Sequence, residues 1–409
     1  MQINLRRQIG ELPWGYFTLA ILLLLIGMVT LFSISHQQVP GMGNTFYKQS
    51  IFIMPALLLF IIVIHIPRTF IHKYAYIAYI FGIVAVLVPY ALPLRAGTHR
   101  WISFGLPFAI QPSEFVKIIT IIAVSRYLSD QSNKKMKFMT ALIIPFIIIL
   151  IPTAIVLKQP DLGTAVVMVA PIMPILYWAG ARPYHLFLLV APLLSVLTGF
   201  NSIAFAVWGI SLGIILYMSK PKILIGIGLY FSNIFLGLLS PILWNSLQPY
   251  QQKRVLTLFD PSKDPYGAAY QILQSITAIG SGGLWGKGWR EGTQTHLKFL
   301  PVQESDFILS VIGEELGFVT IAIILCLFSI MIIKTIKFSA FSNDRFSALV
   351  LIGIATILIS HVFVNTAMTV GLIPVKGLPL PFISAGGSFL LSSFLMIGLV
   401  MNLSVNHST

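Results

Sequence analysis

The sequence predicts an all-α protein, a polytopic transmembrane helical bundle with one long extracytoplasmic loop. Three observations predict it. Hydrophobic residues make up 57% of the 409 and charged residues only 9%, where a soluble domain carries roughly 25% charge. The apolar residues run uninterrupted over stretches near the roughly 20 residues that cross a bilayer. Lys and Arg collect on alternate connections between those runs, as they do on cytoplasmic loops.

Twelve spans are expected, at about 14–35, 46–66, 72–93, 107–128, 138–157, 162–180, 184–199, 202–218, 222–244, 307–333, 346–372 and 382–404. The opening MQINLRRQIGELPWG is basic and precedes the first run. That run is too long for a signal-peptide core and lacks a small-residue cleavage site, so it reads as the first span. With the N-terminus in the cytoplasm, fourteen basic residues lie on inside segments: Arg6, Arg7, Arg68, Lys73, Arg126, Lys134, Lys135, Lys137, Arg182, Lys220, Lys222, Lys334, Lys337 and Arg345. The short outside segments hold five. Much of the net charge of +14 is therefore topological. The acids run the other way. Only Glu11, Asp130 and Asp344 fall inside, and the other nine lie in outer loops or at outer span ends. Topology does not require that, whereas a polar site on the outer face does. The single cysteine, Cys326, forms no intrachain disulfide and leaves the redox compartment unread.

One connection, 245–306, is far longer than the rest. It is rich in Gly, Gln and charge and carries Trp285 and Trp289. Loops of this length are functional or disordered. Its stretch from Tyr270 to Ile279 could form a helix lying at the membrane interface.

Four polar clusters carry chemistry. In GTHRWISFGLPFAIQPSEFVK (97–117), Pro112 suits a first helical turn and Glu114 complements the positive end of the helix. Glu114 and Lys117 share a face and can pair. Ionisable residues inside a membrane are functional candidates by default, the alternative being a structural ion pair that holds two helices together. In KQPDLGT (158–164), Asp161 suits a helix cap. In GSGGLWGKGWREGTQTHLKFLPVQESDFILSVIGEELGF (280–318), five glycines fall between Gly280 and Gly288 with no P-loop context. They permit a tight turn against the membrane surface. Asp306 sits where this loop enters the next span. It is either a partly desolvated base with a raised pKa or the cap of that helix. In GLIPVKGLPLPFISAGGSF (371–389), prolines and glycines break helices at membrane depth, which is tolerated only against protein or a watery cavity. Lys376, its sole charge, could hold a phosphate or snorkel to the interface. No zinc-ligand pattern or serine-hydrolase elbow is present, so no metal-binding residues are assigned.

Together these motifs resemble the SEDS family of bacterial shape, elongation, division and sporulation proteins. The matching stretches are GTHRWISFG with QPSEFVK, KQPDLGTA, IGSGGLWGKGWREGTQTHLKFLP, ESDFILSVIGEELGF and GLIPVKGLPLPFISAGGSF. The GKGW and GTQTHL wording is most similar to the RodA, or elongation, branch. The resemblance implies a single membrane domain over 1–409 and a peptidoglycan glycosyltransferase for cell elongation and shape. Such an enzyme polymerises lipid II at the outer face of the bacterial cytoplasmic membrane. It also implies a class B penicillin-binding protein as partner, and no nucleic acid. The family's proposed catalytic aspartate falls on Asp306, and Trp101 falls on the tryptophan of its Arg-Trp-Ile motif. Departures are visible. The family usually has ten spans, which makes about 184–218 a two-span insertion. Ser305 stands for Thr before Asp306, Ala385 stands for Tyr in the Ser-Tyr-Gly-Gly-Ser stretch, and Lys376 is closer to the division branch.

An inverting transfer to a β-1,4 linkage needs a base for the attacking hydroxyl and cations for the leaving diphosphate. Asp306 is the expected base. Arg100, Lys117 and Lys376 are the expected cations, with Trp101 and Glu114 also at the substrate. A divalent cation, magnesium or manganese, could share that work. Two other functions compete: a lipid II flippase or transporter, and a non-catalytic cell-wall scaffold. Polar residues crowd one face and not the midplane where transporters bind, which favours the enzyme.

Overall fold

In the computed structural model, residues 12–35, 44–93, 98–103, 109–132, 139–219, 223–259, 267, 269–297 and 299–405 are described. Arg6, Arg7, Lys134, Lys135, Lys137, Lys220 and Lys222, used above to orient the chain, lie outside them.

The described chain is mostly helical, with an isolated antiparallel bridge between Ile102 and Ile110. In order come α1 (Trp14–Ser35), α2 (Thr45–His65), α3 (Arg68–Leu87), α4 (Pro112–Ser129), α5 (Ile143–Lys158), α6 (Leu162–Val169), α7 (Ile172–Trp178), α8 (Pro183–Thr198), α9 (Ser202–Ser219) and α10 (Ile223–Leu238). Then follow α11 (Ser240–Asn245), α12 (Pro249–Phe259), α13 (Tyr270–Gly282), α14 (Thr293–His296), α15 (Ile308–Ala340), α16 (Arg345–Thr369) and α17 (Gly387–Ser404). Every expected span coincides with helix. Among the described residues seven helices are long and apolar enough to cross a membrane, and four shorter apolar ones accompany them. The chain is a multi-pass membrane protein.

Several boundaries differ from the sequence reading. The run 162–180 breaks into α6 and α7 at Pro171, which has no N–H to continue the helix. The run expected from 107 starts at Pro112, and the last helix starts at Gly387. The stretch from Tyr270 is a helix, as expected, with Ile276, Thr277, Gly280 and Ser281 exposed on one side. Its other side packs against the bundle, burying Ile272, Ser275, Ala278 and Gly282. Ser275 Oγ lies 2.6 Å from Ser310 Oγ of α15 and donates to the Thr369 carbonyl of α16 at 2.6 Å.

The core is built on α16 and α17, buried along most of their length, with α1, α4 and α15 around them. Helices α8, α9 and α10 form a smaller cluster with its own apolar centre of Leu188, Ala191, Leu212 and Leu216. One polar knot pins these three. Trp208 Nε1 donates to Ser195 Oγ at 2.8 Å, and Ser195 Oγ donates to Asn233 Oδ1 at 3.0 Å.

The 33 residues of α15 would span about 50 Å if straight, well beyond the roughly 30 Å of a hydrocarbon core. The helix instead breaks at Gly317 (φ 79°, ψ 176°). The glycine-rich turn after α13 takes over its lost backbone bonds. Phe318 and Val319 donate to the carbonyls of Gly283 and Leu284, and Lys287 and Gly288 donate to those of Glu314 and Glu315. The backbone groups freed by the break are thereby satisfied.

Candidate active site

Asp306 lies in the turn that leads into α15. The Ser305 and Asp306 N–H groups donate to the Val302 carbonyl. This turn is stitched to the irregular loop before α17. Ala385 N donates to the Glu304 carbonyl at 2.9 Å. Ser384 Oγ donates to the Ser305 carbonyl at 2.6 Å and accepts from Leu380 N at 2.9 Å. Gln49 of α2 holds the second loop from behind, accepting from Gly386 N at 3.0 Å. Val302 (φ 54°) and Phe382 (φ 66°) both sit in the left-handed region. Such strain in non-glycine residues persists only where the surroundings over-determine it, as at functional sites.

The N-cap of α15 is Phe307, and no side chain caps that end. Asp306 therefore does not serve as the cap. Its Oδ1 accepts from Ser305 Oγ at 3.0 Å. Its Oδ2 faces Gly377, where an added Cβ would lie only 3.2 Å away. Gly377 is exposed, so the half-buried carboxylate opens past it. Burial pushes the Asp306 pKa up to about 6. The Ser305 hydroxyl opposes that shift, and the negative charges of Glu304 and Asp161 add to it.

Lys376 precedes Gly377 and is half-buried. Its carbonyl packs on Gly163, at the start of α6. Just before that, Asp161 caps α6, as its position in the sequence suggests: Thr164 N and Thr164 Oγ1 donate to it at 3.2 and 2.9 Å. Gln111 Nε2 donates to the same carboxylate at 3.0 Å. Arg100 lies 4.0 Å from Asp161, donates from Nε to the Gln159 carbonyl at 2.9 Å and from Nη2 to the Pro160 carbonyl. Trp101 is half-buried beside it. Contacts thus link Asp306 to Gly377, the Lys376 carbonyl to the start of α6, and Asp161 there to Arg100.

Glu114 and Lys117 lie further into the bundle, both almost wholly buried. They pair at 2.6 Å, as their spacing predicts. Lys117 Nζ is also 3.0 Å from His361 Nε2 and lies over the Phe389 ring. His361 Nδ1 is 3.0 Å from the Pro379 carbonyl. That oxygen can only accept, so Nδ1 carries the proton and Nε2 accepts from the lysine.

Sequence reading passed over Gln49, His361 and Asn365, and gave Glu314 no role. Glu314 has no exposed surface. It accepts from Lys287 Nζ at 2.8 Å, from Thr293 Oγ1, from Gln294 N, and from both Thr295 N and Oγ1. It anchors the GKGW and GTQTH stretches to α15. A buried acid three positions before a glycine break was a visible signal. Gln49 was not, since its partners lie over 300 residues away. Among the described residues no group of three or more His, Cys, Asp or Glu side chains is placed to hold a metal ion.

Comparison with known proteins adds the lineage. A model of the cell cycle protein family FTSW_RODA_SPOVE matches residues 13–208 and 202–409. The peptidoglycan glycosyltransferase MrdB of Escherichia coli is 33% identical over 353 residues, 86% of this chain and 83% of that one. Stage V sporulation protein E of Bacillus subtilis is 32% identical over 324 residues, 79% and 76% of the two chains. In fold, a chain from a study of the structural coordination of polymerization and crosslinking by a peptidoglycan synthase complex superposes with TM-score 0.73 at 24% identity, covering 96% of this chain and 97% of that one. The rod-shape-determining protein RodA of Thermus thermophilus superposes with TM-score 0.63 at 22% identity, covering 96% of each. Helical architecture, motif order and both kinds of match agree, and the chain belongs to the FtsW/RodA/SpoVE family of cell cycle proteins, the SEDS family.

Proposed function

We propose that this protein is a peptidoglycan glycosyltransferase that polymerises lipid II into β-1,4-linked glycan, with Asp306 as the base. The observation that carries this is the half-buried Asp306 carboxylate, held between two interlocked loops and opening past Gly377 beside Lys376. A base works best when its pKa lies near the operating pH, and burial brings Asp306 to about 6.

Asp306 Oδ2 takes the proton of the acceptor sugar's 4-hydroxyl as that oxygen attacks the anomeric carbon of the growing strand. The bond to the diphosphate breaks, and undecaprenyl diphosphate leaves with the electron pair. Attack opposite the leaving group inverts an α link to a β link. Lys376, next to Gly377 in the sequence, is the first candidate cation, with Arg100 across Asp161. Lys117 is engaged by Glu114 and His361. It would have to leave them to reach a diphosphate directly, so its contribution here is to hold the loop beside the site. Trp101 offers a stacking face at the rim. A magnesium or manganese ion accompanying the diphosphate would add positive charge there, and no step above depends on it; loss of activity in a chelator would test for it.

The partner we propose is a class B penicillin-binding protein that crosslinks the product, tested by co-purification. The N-terminus is placed in the cytoplasm, with Asp306 on the outer face of the bacterial cytoplasmic membrane. Labelling of single cysteines at residues 98 and 344 by an impermeant reagent tests that. The central experiment is polymerisation of purified lipid II. Asp306→Asn keeps size and removes the charge, and is expected to lower the rate at least about 100-fold. A variant that is folded in the membrane and polymerises at wild-type rate removes Asp306 from this role.

A further inference from the structure

We propose that Asn365 is a positioning residue for Asp306, its one side-chain amide tying the Asp306 backbone to the loop that the carboxylate faces. The proposal rests on the reading of Asp306 as the base.

Asn365 Nδ2 donates to the Asp306 carbonyl at 2.9 Å and to the Leu378 carbonyl at 2.7 Å. Both partners are carbonyl oxygens, which only accept. The amide is therefore oriented without ambiguity, nitrogen toward the two loops. Its own oxygen is buried with no partner in the structure. Asn365 has no exposed surface. A polar side chain costs free energy in such a place unless its hydrogen bonds compensate. Both hydrogens of Asn365 go to the two chain segments that frame the reacting carboxylate.

The geometry makes this hold specific. Leu378 follows Gly377, the residue against which Asp306 Oδ2 rests. Releasing Leu378 releases Gly377 and opens the space beside the carboxylate. His361, one helical turn earlier on α16, holds the neighbouring Pro379 carbonyl in the same way. Behind it stand Lys117 and Glu114 from α4, with Ser392 of α17 3.4 Å from Glu114. The buried triad and Asn365 thus act on two consecutive residues of one loop, 378 and 379. The charged groups that act on Asp306 are Glu304 on its own turn and Asp161 at the start of α6, with Arg100 4.0 Å beyond Asp161 and Lys376 next to Gly377 in the sequence. None of them replaces the backbone tie.

The test compares Asn365→Asp, Asn365→Ala, Asp306→Asn and wild type in lipid II polymerisation by the full chain with its partner, from pH 5 to 8. Asn365→Asp preserves shape, but ionised it sets a carboxylate against two carbonyls and protonated it donates to only one of them. It is expected to lower kcat about 10- to 100-fold, as misplacement of a reacting group does, with KM changed less than about threefold. Asn365→Ala is expected to fall between it and wild type. In Asn365→Ala the released loop leaves the Asp306 carboxylate better solvated, so the acid limb of that variant shifts below that of wild type. A residue that merely fills space gives the reverse order, with Asp near wild type, Ala impaired and the acid limb unmoved. That result overturns the proposal. If Asn365→Asp does not accumulate in the membrane, the acid limb of Asn365→Ala decides alone. An active Asp306→Asn would count against the base itself. An inactive Asp306→Asn alongside Asn365 variants with wild-type profiles would count against the positioning alone.

Discussion

At the scale of single residues, Asp306 is distinguished by its surroundings. It accepts one side-chain hydrogen bond, from Ser305, and meets two like charges. Burial is the largest influence on it and raises its pKa to about 6. The base is active when ionised, so the rate should fall about tenfold per pH unit below pH 6 and level off above it. The same shift bears on stability. A carboxyl whose folded pKa exceeds its unfolded value contributes stability below the unfolded value, near pH 4, and loses it as pH rises through 6. Asp306→Asn should therefore unfold at a higher temperature than wild type at pH 8, by about 2 °C or more. The gap should close near pH 4. Thermal unfolding of both proteins in detergent at the two pH values checks this, and equal melting temperatures at pH 8 would contradict it. Glu314 is the opposite case. It is more deeply buried but surrounded by donors, which suits it to holding a loop and leaves it no lone pair directed at a substrate.

At the scale of elements, the break in α15 decides where the site sits. Without it the helix would run about 20 Å past the hydrocarbon core. With it, 308–316 becomes a separate short helix of about two and a half turns, with Asp306 just before its N-cap. Gly317 can be only glycine: its φ of 79° disfavours a side chain, and an added Cβ would lie 2.3 Å from Gly286 N. Gly317→Ala should destabilise the protein by about 3 kcal/mol or more, from strain and a backbone clash together. Limited proteolysis in residues 284–300 should quicken in parallel, because the turn loses its four backbone bonds to α15. Unchanged proteolysis would mean that the turn is held by Glu314 alone. The sequence showed the glycines and the acids as neighbours. It did not show that they interlock, because the turn docks on a helix some 30 residues further along.

At the scale of the whole molecule, a large core surrounds α16 and α17, and a smaller cluster of α8, α9 and α10 stands beside it. The site belongs entirely to the larger part. The smaller is held by the Ser195, Trp208 and Asn233 knot. Hydrogen bonds between helices in a membrane contribute modestly, so Asn233→Ala should cost about 1 kcal/mol. It should leave polymerisation within about twofold of wild type. A large loss of activity with normal accumulation would connect the cluster to the site.

The sequence by itself determined that this is a membrane protein, where its helices fall, and its family. Hydrophobic run length and the spacing of motifs are properties of consecutive residues, so a single chain displays them. It also placed Asp161 as a cap and paired Glu114 with Lys117, since both depend on neighbours three positions apart. Only the tertiary structure decided that Asp306 is not a cap, that Lys117 is committed to Glu114 and His361, and that Asn365 and Gln49 grip the loops around the site. Those contacts join residues tens to hundreds of positions apart, and only packing of the helices brings them within hydrogen-bonding distance.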